Sequence, residues 1–233
     1  MESIFIILIS AHCYVDFLLQ TEKMFQNKGR LPVILLHAAI HGLLAYVFLQ
    51  SWFVWQVPLL LAGLHFLIDW IKVKRIPSPA GFAMAQVAHV LSLAAVACWV
   101  VEAGHLPRFS GWGWSWIVTG AGFCAVVFGS GYYVGAVAEC LIKENEVLRE
   151  DLKTGLRNGG KKIGQLERAL IFVLMLINQP AGIGFLVAAK SILRFEESKK
   201  QPVAEYVLIG TLWSYSLAIA LSWITTYALT LAP

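Results

Sequence analysis

Five long stretches of this sequence contain no Asp, Glu, Lys or Arg: 31–68, 76–101, 109–138, 169–189 and 206–233. Each is at least as long as the ~20 apolar residues that a helix needs to cross ~30 Å of hydrocarbon. Charged residues make up 14% and hydrophobic residues 58% of the chain, whereas a soluble domain carries roughly 25% charged residues. Soluble enzymes, secreted disulfide scaffolds and disordered proteins are excluded. The sequence predicts an all-α, polytopic transmembrane helical bundle.

About seven membrane segments can be drawn, at 3–20, 31–50, 53–71, 80–103, 112–141, 166–193 and 203–231. The sixth is interrupted near its middle by Asn178, Gln179 and Pro180. Two alternatives follow: one kinked span, or a re-entrant hairpin whose irregular backbone is shielded by protein or water. We divide the chain into an N-terminal transmembrane bundle (1–138), a charged cytoplasmic connection (139–168) and C-terminal membrane segments (169–233).

Lys and Arg residues concentrate in the odd-numbered connections between these segments. Because basic residues favour the cytoplasmic side, we expect the N-terminus to lie outside and the odd-numbered connections inside. The net charge of +4 comes from these short connections, so no nucleic-acid partner is indicated. We expect membrane lipids as partners.

Polar pairs recur within four of the apolar segments, and the members of each pair are three or four residues apart. The pairs are His12 with Asp16, His37 with His41, His65 with Asp69, and Gln86 with His89. Residues at these spacings share a helix face. Counted from the predicted cytoplasmic ends, all four pairs fall roughly 5–15 Å inside the boundary at ~1.5 Å rise per residue. The sequence therefore predicts one buried layer of imidazole and carboxylate groups.

Such a layer suits a divalent metal ion, because an ionisable group alone in hydrocarbon costs about 2.5–3.5 kcal/mol. We expect Zn²⁺ first, with Fe²⁺ or Mn²⁺ as alternatives. The predicted ligands are His12, Asp16, His37, His41, His65, Asp69 and His89, supported by Gln20 and Gln86. Asp16 or Asp69 is the candidate general base if it is not a ligand. There are enough ligands for two ions.

Basic residues further along the chain are candidates for gripping a lipid head group. These residues are Lys161, Lys162, Arg168, Lys190 and Arg194. Glu167 and Glu205 are expected to form structural ion pairs with basic neighbours. Gly131 and Gly135 form a small-xxx-small pair that permits close helix packing, which leaves a homodimer or a membrane complex open.

The spacing of these residues resembles an uncharacterised bacterial membrane family, domain of unknown function 3307. The resemblance is carried by His12-x-x-x-Asp16-Phe-x-x-Gln20, His37-x-x-x-His41 and His65-x-x-x-Asp69, and by later motifs within 163–168, 184–195 and 205–211. It implies a multi-pass protein of the bacterial inner membrane without an assigned activity. A looser similarity is to membrane-bound metal-dependent hydrolases.

Three functions are compatible with this layer. The first is metal-dependent hydrolysis of a lipid or another amphiphile by a metal-activated water. The second is a proton or metal-ion transporter or channel that uses the same residues as a relay. Against transport, no comparable polar layer occurs in the outer half of the first four segments. The third is a non-catalytic membrane partner protein, centred on the charged connection.

Overall fold

The computed structural model describes residues 1–73, 78–104, 111–146, 148, 159–193 and 201–232, which form helices and no strand. The predicted all-α class is confirmed. The chain divides into two compact units, residues 1–124 with 227–233, and residues 125–226. Each unit is described by itself. The predicted boundaries after residues 138 and 168 differ from this division, and the functional domains they outline stay a prediction.

The first unit contains six α-helices in the described ranges. They are α1 (Glu2–Tyr14), which continues as a π-helical turn over Val15–Leu19, α2 (Glu22–Gln26), α3 (Leu31–Leu49), α4 (Gln56–Val73), α5 (Pro79–Glu102) and α6 (Gly111–Cys124). Side-chain caps begin two of these helices, Thr21 at α2 and Ser78 at α5. Ser78 caps α5 by accepting a hydrogen bond from the Gly81 N–H at 3.0 Å, and Pro79 occupies the first turn, where proline costs nothing.

Helix α1 packs against α3, α5 and α6, and α4 packs against both α3 and α5. The half of this unit that surrounds the start of α1 has an apolar core, which includes Ile7, Leu8, Val57, Val96 and Trp114. The other half contains the polar pairs described below. A close approach of α3 and α4 depends on Gly42, because a Cβ there would collide with the Pro58 carbonyl oxygen.

The second unit contains a π-helical turn (Ala125–Gly129), α7 (Ser130–Glu144), α8 (Gly159–Leu176), α9 (Ala181–Leu193) and most of α10 (Gln201–Thr230). A small apolar core holds these helices together, with Val126, Ile171, Phe172, Ile183 and Ala218 buried in it.

The sixth predicted segment is a helical hairpin. Helix α8 ends at Leu176, Asn178 adopts a left-handed conformation with φ 57°, and α9 begins after Pro180. Lys190 Nζ lies 2.7 Å from Glu167 Oε2. One continuous helix would separate these two residues by about 35 Å at ~1.5 Å rise per residue. The break is therefore a hairpin turn and not a kink within one helix, while re-entry of this hairpin into the membrane stays a prediction.

Five helical stretches are long and apolar enough to cross a membrane, at Glu2–Leu19, Leu31–Leu49, Pro79–Glu102, Gly113–Glu144 and Gln201–Thr230. Helix α9 is apolar but shorter. The chain is accordingly a multi-pass membrane protein. The expectations of seven membrane segments and of an outward N-terminus stay predictions.

Candidate metal centre

Four helices of the first unit place the predicted polar pairs in one cluster. Helix α1 and its π-helical turn carry His12 and Asp16, α3 carries His37 and His41, α4 carries His65 and Asp69, and α5 carries His89. All seven side chains are buried, with exposed fractions between 1% and 6%. The structure thus brings together every histidine and aspartate that the sequence assigned to the layer.

Asp16 accepts hydrogen bonds on both carboxylate oxygens. Its Oδ1 lies 3.1 Å from His37 Nε2 and 3.1 Å from His41 Nε2. Its Oδ2 accepts from Gln86 Nε2 at 3.2 Å and lies 3.6 Å from His12 Nε2. Asp16 belongs to the π-helical turn Val15–Leu19, and such turns are frequent at functional sites. Two helices other than its own therefore fix this carboxylate.

Asp69 lies on the same cluster with longer separations to the imidazoles. Its Oδ2 is 3.6 Å from His65 Nε2 and 3.7 Å from His37 Nε2, and its Oδ1 is 3.7 Å from His89 Nε2. A lysine outside the helices, Lys28, donates to Asp69 Oδ2 at 2.9 Å. This lysine compensates the buried carboxylate from one side.

The imidazole rings stack across helices. The His41 and His65 ring centroids are 3.5 Å apart, and those of His65 and His89 are 4.2 Å apart, both nearly parallel. The close α3–α4 approach at Gly42 lies next to His41 in the chain. The central imidazole, His65, is therefore held between rings from α3 and α5.

The two predicted supporting glutamines contact this cluster from its edge. Gln86 Oε1 lies 3.3 Å from His12 Nε2, so the same amide contacts both Asp16 and His12. Gln20 Nε2 lies 3.3 Å from His37 Nε2. Both amides are half-buried and restrict the orientation of the imidazoles that they contact.

Two sets of ligand atoms lie within 4.8 Å of one another, Asp16 with His37, His41 and His65, and His12 with His65 and His89. Two ligands of a tetrahedral Zn²⁺ with bonds of ~2.0–2.1 Å lie about 3.3–3.4 Å apart. The Asp–His separations of 3.1–3.7 Å bracket that value. The clustered groups could hold a metal ion, whose identity is open.

Two imidazole nitrogens give the strongest support for a metal ion at this cluster. His65 Nε2 and His89 Nε2 are buried and have no hydrogen-bond partner among the described residues. A buried polar atom left unsatisfied costs about 1–3 kcal/mol. A cation held by Asp16 or Asp69 would satisfy both nitrogens, which makes the donor chemistry appropriate for a divalent ion.

A cavity of about 20 Å³ adjoins the imidazoles of His12, His41, His65 and His89. Its other walls are apolar, with Leu8, Ala45, Leu61 and Leu93, apart from Ser92. A space of ~10–15 Å³ suffices for one water molecule, provided that polar partners surround it. The cluster therefore has room for one water-sized ligand beside the imidazoles.

Lys28 and Ser92 are the two residues that sequence reasoning missed. Lys28 belongs to the basic first connection, which the predicted orientation places at the same membrane face as the end of α4, where Asp69 lies. Ser92 follows His89 by three residues on α5 and donates its hydroxyl to the His89 carbonyl at 2.8 Å. Helical spacing could have identified Ser92, whereas the contact of Lys28 with Asp69 depends on tertiary packing that no sequence pattern indicates.

Arg168, a predicted head-group residue, is buried inside the second unit with an exposed fraction of 4%. Its Nε and Nη2 donate to the Val127 carbonyl at 3.2 and 2.8 Å, and its Nη1 donates to Ser214 Oγ at 3.1 Å. Cβ atoms at Gly131 and Gly164 would lie 2.6 and 3.0 Å from the guanidinium. Both glycines thus make room for Arg168 within this chain.

The other predicted residues of this unit are more exposed. Lys190 pairs with Glu167 at 2.7 Å and lies 5.2 Å from the centre of the Tyr215 ring. Lys161 and Lys162 are exposed in the first turn of α8, and Glu205 accepts from Gln201 Nε2 at 2.9 Å. Arg194 lies outside the described residues. The head-group role of these residues stays a prediction.

Residues 4–112 match a family model described as Protein of unknown function (DUF3307). The resemblance found in the sequence is confirmed over this range, which contains every residue of the His/Asp cluster. The later motifs of that resemblance, from residue 163 onward, lie outside the matched range. No curated protein and no solved structure matches the chain, and the looser similarity to metal-dependent hydrolases has no support.

Proposed function

We propose that this protein is an intramembrane metal-dependent hydrolase that acts on a lipid or another amphiphile. The observation that carries the proposal is the water-sized cavity beside four of the five clustered imidazoles. A structural metal site is closed by its protein ligands, whereas a catalytic site keeps one position for water or substrate. Zn²⁺ is the first choice of ion, with Fe²⁺ or Mn²⁺ as alternatives.

The residues of the cluster would bind the ion and orient the reactants. A bound divalent cation would lower the pKa of a water molecule and polarise the ester, amide or phosphoester to be cleaved. Gln86 keeps His12 and Asp16 in place through its amide. Asp16 and Asp69 would serve as metal ligands, and either one could act as the general base if it does not bind the ion. Leu8, Leu61 and Leu93 form an apolar wall of the cavity.

The surroundings of the cluster favour an amphiphilic substrate. Seven buried polar residues lie within apolar helices, and the predicted orientation puts them near the cytoplasmic boundary. A bond just below a lipid head group would reach that depth. Because Arg168 is buried and bonded within the chain, Lys161, Lys162, Lys190 and Arg194 remain the proposed head-group contacts, and membrane lipids the proposed partners. We place the protein in the bacterial inner membrane with its N-terminus outside.

Transport of protons or metal ions through the same residues is the alternative. A conduction path needs polar groups on both sides of the His/Asp cluster. In the described part of the first unit, the core on the side of the α1 N-terminus is apolar. The buried Ser10 hydroxyl there donates to the Ile6 carbonyl at 2.7 Å, so it is already satisfied. This closed apolar half supports hydrolysis over conduction.

The test is a hydrolysis assay with full-length protein reconstituted in bacterial inner-membrane lipids, with products identified by mass spectrometry. We expect activity that a chelator removes and that Zn²⁺ restores. The H41A and D16N variants should be inactive, while S10A, a buried polar change on the same helix as His12, should keep wild-type activity. If no product depends on metal and Zn²⁺ enters the proteoliposomes, the protein is a transporter and the hydrolase proposal is wrong.

A further inference from the structure

The carboxylates of Asp16 and Asp69 each lie between the same two groups of imidazoles. Asp16 Oδ1 lies 3.1 Å from the Nε2 atoms of His37 and His41, while its Oδ2 lies 3.6 Å from His12 Nε2. The two oxygens of one carboxylate thus point to different histidine sets.

The two carboxylate oxygens of Asp69, on α4, also lie near different histidines. Its Oδ2 lies 3.7 Å from His37 Nε2, and its Oδ1 lies 3.7 Å from His89 Nε2. One set is therefore formed by His37 and His41, and the other by His12 and His89. Each set has one oxygen from each aspartate.

We propose that the cluster binds two divalent cations, bridged by the carboxylates of Asp16 and Asp69. This inference rests on the proposed metal site and deepens it. One ion is held by His37 and His41, and the other by His12 and His89. Each ion receives two imidazole nitrogens and two carboxylate oxygens, and a zinc site can expand to a fifth position for water or substrate.

His65 adds a further imidazole to the His37/His41 set, because its Nε2 lies 3.7 Å from Asp16 Oδ1 and 3.6 Å from Asp69 Oδ2. Its ring stacks on His41 at 3.5 Å and on His89 at 4.2 Å, one member of each set. Its Nε2 belongs to both groups of ligand atoms and has no hydrogen-bond partner among the described residues. Hydrolytic two-metal sites place their ions about 3.5–4 Å apart, a separation that one carboxylate can bridge with its two oxygens.

If Asp16 and Asp69 are both bridges, neither is free to act as a general base. The two ions then hold the reacting oxygens from both sides, and the substrate class is a hydrolysable ester or phosphoester whose oxygen can lie between two cations.

The test loads metal-free, full-length protein in detergent with Mn²⁺ and measures both stoichiometry and low-temperature electron paramagnetic resonance. We expect about two equivalents and an exchange-coupled spectrum, because bridged ions interact magnetically. The H37A/H41A and H12A/H89A variants should each keep about one equivalent and lose the coupling. The matched S10A control should keep both.

The failures of the two proposals are distinguishable. About one uncoupled equivalent in the wild type, removed by either double variant, would overturn the two-ion site and leave a single-metal hydrolase. No bound Mn²⁺, Zn²⁺ or Fe²⁺ would overturn both. If a double variant does not fold, as judged by circular dichroism and gel filtration, the wild-type spectrum decides, since two unbridged ions show no coupling.

Discussion

Lys28 Nζ donates to Asp69 Oδ2 at 2.9 Å, and the two side chains are 11% and 2% exposed. The lysine precedes α3, whereas the aspartate lies near the end of α4, so the contact closes one end of the His/Asp cluster. The ammonium neutralises a buried carboxylate that also faces His37 and His65. A metal ion at Asp69 would experience this positive charge as repulsion.

Replacing Lys28 should therefore have opposite effects without and with metal. K28M leaves the Asp69 carboxylate unpaired, and breaking a buried pair costs about 3–5 kcal/mol, so the metal-free protein should melt at a lower temperature. The added stabilisation by Zn²⁺ should exceed that of the wild type, because stabilisation by a ligand grows with the logarithm of its affinity. Thermal unfolding with and without Zn²⁺ measures the melting temperature of the metal-free protein and its increase on binding Zn²⁺. K23M, at an exposed lysine of α2, is the control; equal Zn²⁺ shifts in K28M and wild type would refute the account.

Gly42 should tolerate no side chain. A Cβ there would collide with the Pro58 carbonyl oxygen and lie 3.2 Å from Ala62 Cβ, so G42A forces α3 and α4 apart. Overpacking of this kind costs about 1–3 kcal/mol. It should also separate His41 from His65 and weaken metal binding. The matched control is G63A on α4, whose added Cβ meets nothing within 4 Å and should be neutral or slightly stabilising. Equal melting temperatures for the two variants would contradict this packing.

Arg168 should matter for the stability of the second unit. R168K keeps the charge but loses the fork that contacts Val127 and Ser214, and a lysine cannot reproduce that fork. Leaving the buried acceptors unsatisfied should cost about 1–3 kcal/mol. The exposed change K161M should stay within about 0.5 kcal/mol of the wild type. Chemical unfolding in detergent compares them, and an R168K variant as stable as K161M would mean that these contacts contribute little.

The α8–α9 hairpin can be tested by exchanging charges. E167K places two cations together and K190E places two carboxylates together, so each single variant should lower the melting temperature. The double variant E167K/K190E restores an opposite-charge pair across the hairpin and should recover part of the loss. Because coupling requires contact, purely additive losses would argue against the 2.7 Å pairing of Glu167 with Lys190.

The His/Asp cluster could be predicted from sequence because helical geometry is local. Spacings of three and four residues put His12 with Asp16, and His65 with Asp69, on single helix faces. The charge-free stretches and the basic connections then predict that these helix faces lie at one depth in the membrane. Only the convergence of the faces required tertiary packing, and the cost of isolated polar groups in hydrocarbon made that convergence expected.

What could not be predicted depends on contacts between distant residues. Asn178 and Pro180 signal a break in the helix, but the choice between kink and hairpin depends on the packing of α8 against α9. Lys28 reaches Asp69 through a long side chain from a connection, which no periodicity reveals. The sequence predicts that Arg168 is a basic residue at a membrane boundary. Its burial depends on the space that Gly131 and Gly164 leave for the guanidinium.

Elemental analysis is the most direct test of the claim that the cluster binds a divalent metal. The full-length protein should be purified without a polyhistidine tag and without chelators, beside H65A and the control H105A, which removes the one histidine that is not a predicted ligand. We predict at least one equivalent of zinc, iron or manganese in the wild type and in H105A, and its loss in folded H65A. Wild-type protein without stoichiometric metal, or H65A with an unchanged content, would contradict the account.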